Sequence, residues 1–288
     1  MTNNAIDRIA APGPITQTTA VEQARAVAEV AAAVQVAQMN PRDMERAWAE
    51  MKAACGRLGL AERAFYSVVN RGRGPSVHLA RELARIWGNL DYGVHELSRD
   101  DVRGVSEVRA FAWDQQTNVR SSRTIQVPHQ RMVKDRRTGQ QERKPLVDLG
   151  DVYLNNQNVG ARAVREAIFT VLPADFVAEA QEICRATIRN GDGKPLPERI
   201  ANMTARFKDE LGVTVGRIEA RVGRSRGQWT AADLAELGVV FGSISRGETR
   251  VDDEFAPERV TAAEITGQKP ASDGADWPEP AAVPGGAQ

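Results

Sequence analysis

The hydrophobic period of the chain changes twice, from helical to alternating near residue 90 and back to helical after residue 145, and this decides which folds are open to it. DYGVHELS, SEVRAFAWD and SSRTIQVPHQ are short and separated by polar turn clusters that include Asp114 through Asn118, so they read as antiparallel strands. In SEVRAFAWD, alternation puts Val108, Ala110 and Ala112 on one face and Arg109, Phe111 and Trp113 on the other. One face packs a helix; the other is basic and aromatic. Helical stretches before and after these strands make the chain α+β, with a short antiparallel sheet and a small C-terminal helical unit.

Upstream, AVEQARAVAEVAAAVQVAQM is rich in strong helix formers and carries Val27, Val30, Val34 and Val36 on apolar faces, which suits a subunit contact. Asn40 and Pro41 supply an N-cap and a first-turn proline for a second helix through Leu58. AERAFYSVVNRG fits helix or strand. Pro75 and Ser76 open a helix with Leu79, Leu83, Ile86, Trp87 and Leu90 as its stripe, ended by Gly88 and Asn89. The run VKDRRTGQQERKP holds seven charges around a Thr-Gly turn and belongs in an exposed hairpin tip or loop. Helix returns with Val159, Ala163, Ala167 and Ile168 inward and Arg162 and Arg165 outward, stopping at Pro173.

A further helix ends at NGDGKPLP, where Gly191, Gly193, Pro195 and Pro197 mark a boundary. About three short helices follow, the last capped by Thr230 with Asp233 at N3. The expected organisation is a disordered arm (1–20), a main domain (21–190), a small helical unit (198–247) and an acidic disordered tail (248–288).

The chain has 38 basic and 38 acidic side chains in 288 residues, a net charge of zero that hides its distribution. Residues 57–165 carry 19 basic and 12 acidic groups, a balance of +7, while 247–288 carry 3 and 9, a balance of −6. That asymmetry suits an anion binder with an acidic appendage. No run reaches the ~18 apolar residues of a membrane span, and the first residues lack the order of a signal peptide, so a cytoplasmic protein without membrane contact is expected. Cys55 and Cys184 have no CxxC partner and read as buried small hydrophobes.

Several chemistries find no motif. GRGPS at 72–76 has glycines but lacks the Lys and hydroxyl of a phosphate cradle, so ATP-driven work is not indicated. His78, His95 and His129 are not at metal-ligand spacing, and Asp91, Glu96 and Glu107 are scattered. What remains is basic residues interleaved with flat side chains: Arg71, Arg73, Arg81, Arg85, Arg109, Arg120, Arg123, Arg131, Lys134, Arg136, Arg137, Arg162 and Arg165, around Phe111, Trp113, His129 and Tyr153. Such a set suits single-stranded nucleic acid, whose phosphates give salt-dependent affinity and whose bases stack without regard to sequence. Taken singly, each residue also has a plain reading. Arg81, Arg85, Arg162 and Arg165 are solvated helix faces beside Glu82 and Glu166, and Phe111 and Trp113 are core.

GPSVHLARELARIWGNLDYGVHEL, SEVRAFAWDQQTN and NNQNVGARAVREAIFTVLP resemble, in order and spacing, the phage single-strand annealing proteins of the RecT and Redβ type, over roughly residues 20–250. Asn158-Val159-Gly160 stands where the family has a tighter Gln-Gly. The resemblance implies an annealing-protein fold and ATP-independent pairing of complementary strands in phage recombination, with no catalytic residue and no cofactor. Magnesium enters only as a modulator of DNA complexes. It also implies assembly into rings or helical filaments, and partners such as an exonuclease and the host single-strand-binding protein at the C-terminal unit.

On this basis the expected DNA contacts are Arg71, Arg73, Arg81, Arg85, Arg109, Arg123, Arg131, Lys134, Arg136, Arg137, Gln157, Arg162 and Arg165, with Phe111, Trp113 and His129 as stacking surfaces. Arg71, Arg73, Arg81, Arg85, Arg162 and Arg165 form the expected groove, and the loop from Lys134 to Lys144 closes over it. Asp252, Asp253, Glu254 and Glu258 of the tail either compete for that groove or dock a partner. A DNA nuclease and a passive strand-coating or structural protein are the competing classes.

Overall fold

The computed structural model describes residues 17–69, 72–134, 141–191 and 193–256. Helix α1 (Gln17–Met39) leads into α2 (Met44–Cys55) and the single turn α3 (Leu58–Ala61). A hairpin of β1 (Phe65–Val68) and β2 (Gly72–Pro75) precedes α4 (Val77–Trp87). Three antiparallel strands follow, β3 (Leu90–Asp100), β4 (Val105–Asp114) and β5 (Val119–Pro128), with β4 central. A second hairpin, β6 (Gln130–Lys134) and β7 (Gln141–Pro145), connects the sheet to α5 (Leu149–Val171) and α6 (Ala174–Asn190). The chain continues through α7 (Leu196–Leu211), α8 (Val215–Val222), α9 (Ala231–Ser245) and α10 (Val251–Glu254). The chain is therefore α+β, with short antiparallel sheets on helices and a helical C-terminal region.

Local chemistry explains most boundaries. Ser76 accepts the Leu79 amide to cap α4, and Gly88 and Asn89 end that helix at φ of 70° and 49°, where a side chain is costly. Thr230 and Asp233 form a reciprocal capping box on α9. Two boundaries differ from the sequence reading. The cap of α2 is Asp43, which accepts from the Arg46 amide, so Asn40 and Pro41 lie in the connection. Helix α1 also begins at Gln17, so it takes in residues 17–20 of the expected arm.

The larger core lies between the sheet and the helices. Val108, Ala110 and Ala112 are fully buried, as alternation requires, and α5 crosses that face. Helix and sheet approach so closely at Gly160 that a Cβ there would meet Val94 Cγ1 at 2.7 Å. Gly160, rather than the expected Val159, is therefore what turns toward the strands. Trp48 and Trp87 pack on Phe176 of α6 with centroids 5.1 and 4.9 Å away. Cys55 and Cys184 are buried together in this core, and contact with Cys55 plus burial pushes the Cys184 thiol up.

One polar joint sits inside this apolar packing. The Arg42 and Asp114 side chains, 5% and 4% exposed, pair at 3.0 Å. Arg42 Nε also donates to the Trp87 carbonyl at 2.6 Å, Nη2 donates to the Gly88 carbonyl at 3.0 Å, and the guanidinium lies 4.2 Å over the Trp87 ring. Asp114 in turn accepts from Trp87 Nε1 and from the amides of Gln116 and Thr117. Burial would raise the Asp114 carboxyl, but the hydrogen bonds from Arg42 and Trp87, the Arg42 charge and the turn amide together hold it below the usual range.

A second core gathers Phe207, Ile218, Trp229, Leu237 and Phe255. The two cores are joined. Ala235 and Val239 of α9 pack on the first, Ser243 Oγ accepts the Ser67 amide, and Arg199 caps the end of α6 by donating to the Ile188 and Arg189 carbonyls. The expected acidic tail does not begin at Gly247. Phe255 is fully buried, 5.3 Å from Phe207, and Arg217 and Arg221 pair with Asp252 and Glu254. An acidic composition had concealed one anchoring aromatic.

Two outcomes follow. Asp114→Asn leaves the Arg42 charge buried without its partner, so chemical denaturation at pH 7 should show a loss of about 3–5 kcal/mol. Because the folded pKa of Asp114 is depressed, its contribution exists above the unfolded value of about 3.9 and fades as pH falls from there through the folded value. The gap between wild type and Asp114→Asn should therefore narrow below about pH 4. Truncation after Gly247 should destabilise the second core by about 3–5 kcal/mol more than truncation after Ala256 does, the cost of losing a buried Phe.

Candidate nucleic-acid interface

Of the expected contacts, Arg71, Arg136, Arg137 and the Lys134 side chain lie outside the described residues, as does Glu258. Three members of the expected groove are already engaged by carboxylates. Arg73 pairs with Glu236 of α9 at 2.6 Å. Arg85 pairs with Glu82 at 2.9 Å and Glu50 at 2.8 Å, which raises its guanidinium above the ordinary value. Arg165 pairs with Glu166 at 2.7 Å and lies 4.9 Å over the Tyr66 ring. Arg81 and Arg162 are exposed on α4 and α5, and Gln157 is half-buried on α5. The helical groove is thus a partly neutralised surface.

The sheet sorts its cations by parity. Arg109, Phe111 and Trp113 share one face with His95 and Arg120, since Arg109 pairs across from His95 and Trp113 from Arg120. Arg123 pairs across from Ala110 and so points to the opposite face. The two strand arginines expected to act together are therefore separated by the sheet. On the aromatic face, Arg120 lies 5.7 Å from the Phe111 centroid and 5.9 Å from that of Trp113, and His95 lies 5.0 Å from Phe111. Phe111 is 6% exposed beneath these neighbours. Trp113 keeps a half-exposed ring, with Nε1 donating to Asn118. Arg109 Nε is buried and has no hydrogen-bond partner among the described residues.

His129 is no stacking surface. It is 6% exposed, with Nε2 2.8 Å from Ser106 Oγ, which itself donates to Glu96 Oε1 at 2.6 Å. That assignment of the single hydroxyl proton makes His129 Nε2 the donor to Ser106. Asp101 lies 3.9 Å from the other ring nitrogen. The set has the residue types of a hydrolytic triad, but Ser106 is fully buried and no substrate carbon can reach its oxygen. Burial, then the neighbouring Arg63, holds His78 below the usual imidazole range. No group of His, Cys, Asp and Glu suited to a metal ion occurs among the described residues, and no described helix is long and apolar enough to cross a membrane.

The concentrated charge lies elsewhere. Residues 119–145, spanning edge strand β5 and the β6–β7 hairpin, hold eight basic and two acidic side chains, a balance of +6 within the +7 of the middle segment. In the hairpin register Arg131 stands directly across from Lys144, and Arg143 from Met132. Like charges opposite each other repel, so this arrangement costs stability unless an anion lies over it. Arg120, Arg123, Arg131, Arg143 and Lys144 have no carboxylate partner among the described residues, and all five are exposed. Arg143 is absent from the expected contacts, and Lys144 entered only as the end of a loop. The count of charges between residues 119 and 145 was the signal that could have found both.

Against protein-family models, curated proteins and solved structures alike, the chain finds no match.

Proposed function

We propose that the chain binds single-stranded DNA along β5 and the β6–β7 hairpin and anneals complementary strands without ATP, in phage or prophage recombination. The carrying observation is the +6 balance of residues 119–145, with five exposed cations there that have no carboxylate partner among the described residues. Held phosphates with free base edges are what strand pairing needs, and cations on both faces of an edge strand and of its hairpin hold a backbone that runs along that edge without reading bases. Trp113, beside Arg120 on the aromatic face, offers the stacking surface.

In the same proposal the chain assembles into rings or filaments, supported by the exposed apolar side chains of α1, Val27 and Val30 among them. Partner contacts with an exonuclease or a host single-strand-binding protein fall to the C-terminal unit. Magnesium acts on the DNA complexes rather than as a cofactor, and the setting is the bacterial cytoplasm.

A second reading has its own support. Charged side chains on an exposed edge strand also prevent edge-to-edge aggregation, which would make the β5 cations protective only. Binding titrations on an oligonucleotide at several salt concentrations separate the two. If about four phosphates are contacted, log affinity should fall with log salt at a slope near −3. Replacing Arg131, Arg143 and Lys144 together with Ala should reduce that slope by about 2. Arg85→Ala, whose guanidinium is held by two glutamates, should leave it in place. A wild-type slope near zero contradicts the proposal and leaves the protective reading.

A further inference from the structure

A cleft of 370 Å³ opens where α6 and α9 meet the β1–β2 hairpin. Phe65, Ile188, Ala235 and Val239 give it an apolar floor, and Arg73, Arg185 and Arg189 stand around it. Only one carboxylate, Glu236, lines it, and that group is already taken by Arg73, while Arg185 and Arg189 share the single Glu182 outside it at 3.6 and 3.2 Å, so three arginines meet two carboxylates. A volume in the ~300–1,000 Å³ range with an apolar floor and a cationic rim selects a ligand that has a large apolar side chain flanked by carboxylates.

The chain carries one segment of that chemistry beyond the described residues. In Ser272-Asp273-Gly274-Ala275-Asp276-Trp277-Pro278-Glu279, three acids surround the one tryptophan of the five that lies outside the described body. The described chain ends beside the cleft. Arg221 bridges Glu254 at 2.7 Å and Glu236 at 3.5 Å, and Glu236 holds Arg73 at 2.6 Å. Glu254 is thus one arginine away from the cleft wall, and the chain passes on at Ala256. The 16 residues from 257 to 272 span about 20–24 Å as a flexible tether, ample for a site so near the exit.

We propose that the segment Asp273–Glu279 docks in this cleft of its own chain, with Trp277 on the apolar floor and its carboxylates toward Arg73, Arg185 and Arg189. The cleft shares no residue with the β5 and β6–β7 surface, so this inference stands or falls separately from the proposed DNA binding.

The test uses the full chain with 5-fluorotryptophan in place of all five tryptophans, followed by fluorine NMR, the Trp277 signal being assigned with Trp277→Phe. A docked Trp277 gives a line as broad as those of the buried tryptophans. The line should sharpen several-fold in Arg185→Glu/Arg189→Glu and at high salt, and should not respond to Ala substitution of Arg131, Arg143 and Lys144. The four remaining signals report whether each variant stays folded. A sharp Trp277 line in the unaltered chain overturns the proposal. So does a broad line that sharpens with the hairpin variant instead, which would seat the acidic segment on the basic hairpin.

Discussion

Burying the Arg42 guanidinium and the Asp114 carboxylate together commits three separate stretches of chain to one geometry. The pair joins the α1–α2 connection, the end of α4 at Trp87 and Gly88, and the end of β4 with the turn that leads into β5. Neither charge survives alone away from water, so each element arrives only when the others do. Gln116 extends the joint by accepting from the Arg42 amide and from Asn89, whose side chain also donates to the Asn40 carbonyl. Sheet and helices are thereby set at one end of β4, and Gly160 sets them again where α5 presses on Val94. Between these two joints the inner face of the sheet is small and apolar, which lets α5 lie close.

The sequence blocks GPS, AWD and NNQNVG coincide with these joints. Ser76 of GPS caps α4, Asp114 ends the AWD strand, and Asn156 and Gly160 of NNQNVG are the buried polar and close-approach positions of α5. They speak to a scaffold. The charges proposed to meet DNA lie between the blocks, on β5 and the β6–β7 hairpin, where no short motif stands.

Local order was legible in the chain wherever neighbours in sequence are also the partners. Alternation exposed the buried face of Val108, Ala110 and Ala112, and three-residue spacing exposed the Thr230–Asp233 box. Distant partners left no trace. Arg42 meets Asp114 across 72 residues and Arg73 meets Glu236 across 163, so a reading by sequence counts Arg73 as a free cation when it is neutralised. Arg85 was half readable. Glu82, one turn away, was visible as its partner, while Glu50 was not. Phe255 was hidden because a single aromatic scarcely alters the composition of a segment rich in Asp and Glu. The sheet's two faces were separable by parity, but placing Arg123 on the far side needed the β4–β5 register.

In the proposed function, cations on an edge strand and its hairpin that have no carboxylate partner among the described residues hold single strands so that they pair. The most direct measurement follows two complementary oligonucleotides by fluorescence quenching, without ATP, against protein-free and non-complementary controls. The account predicts pairing many-fold faster than the spontaneous rate with the intact chain, and a rate near the spontaneous one when Arg131, Arg143 and Lys144 are all Ala. Tight binding without faster pairing, or acceleration indifferent to those three substitutions, contradicts it.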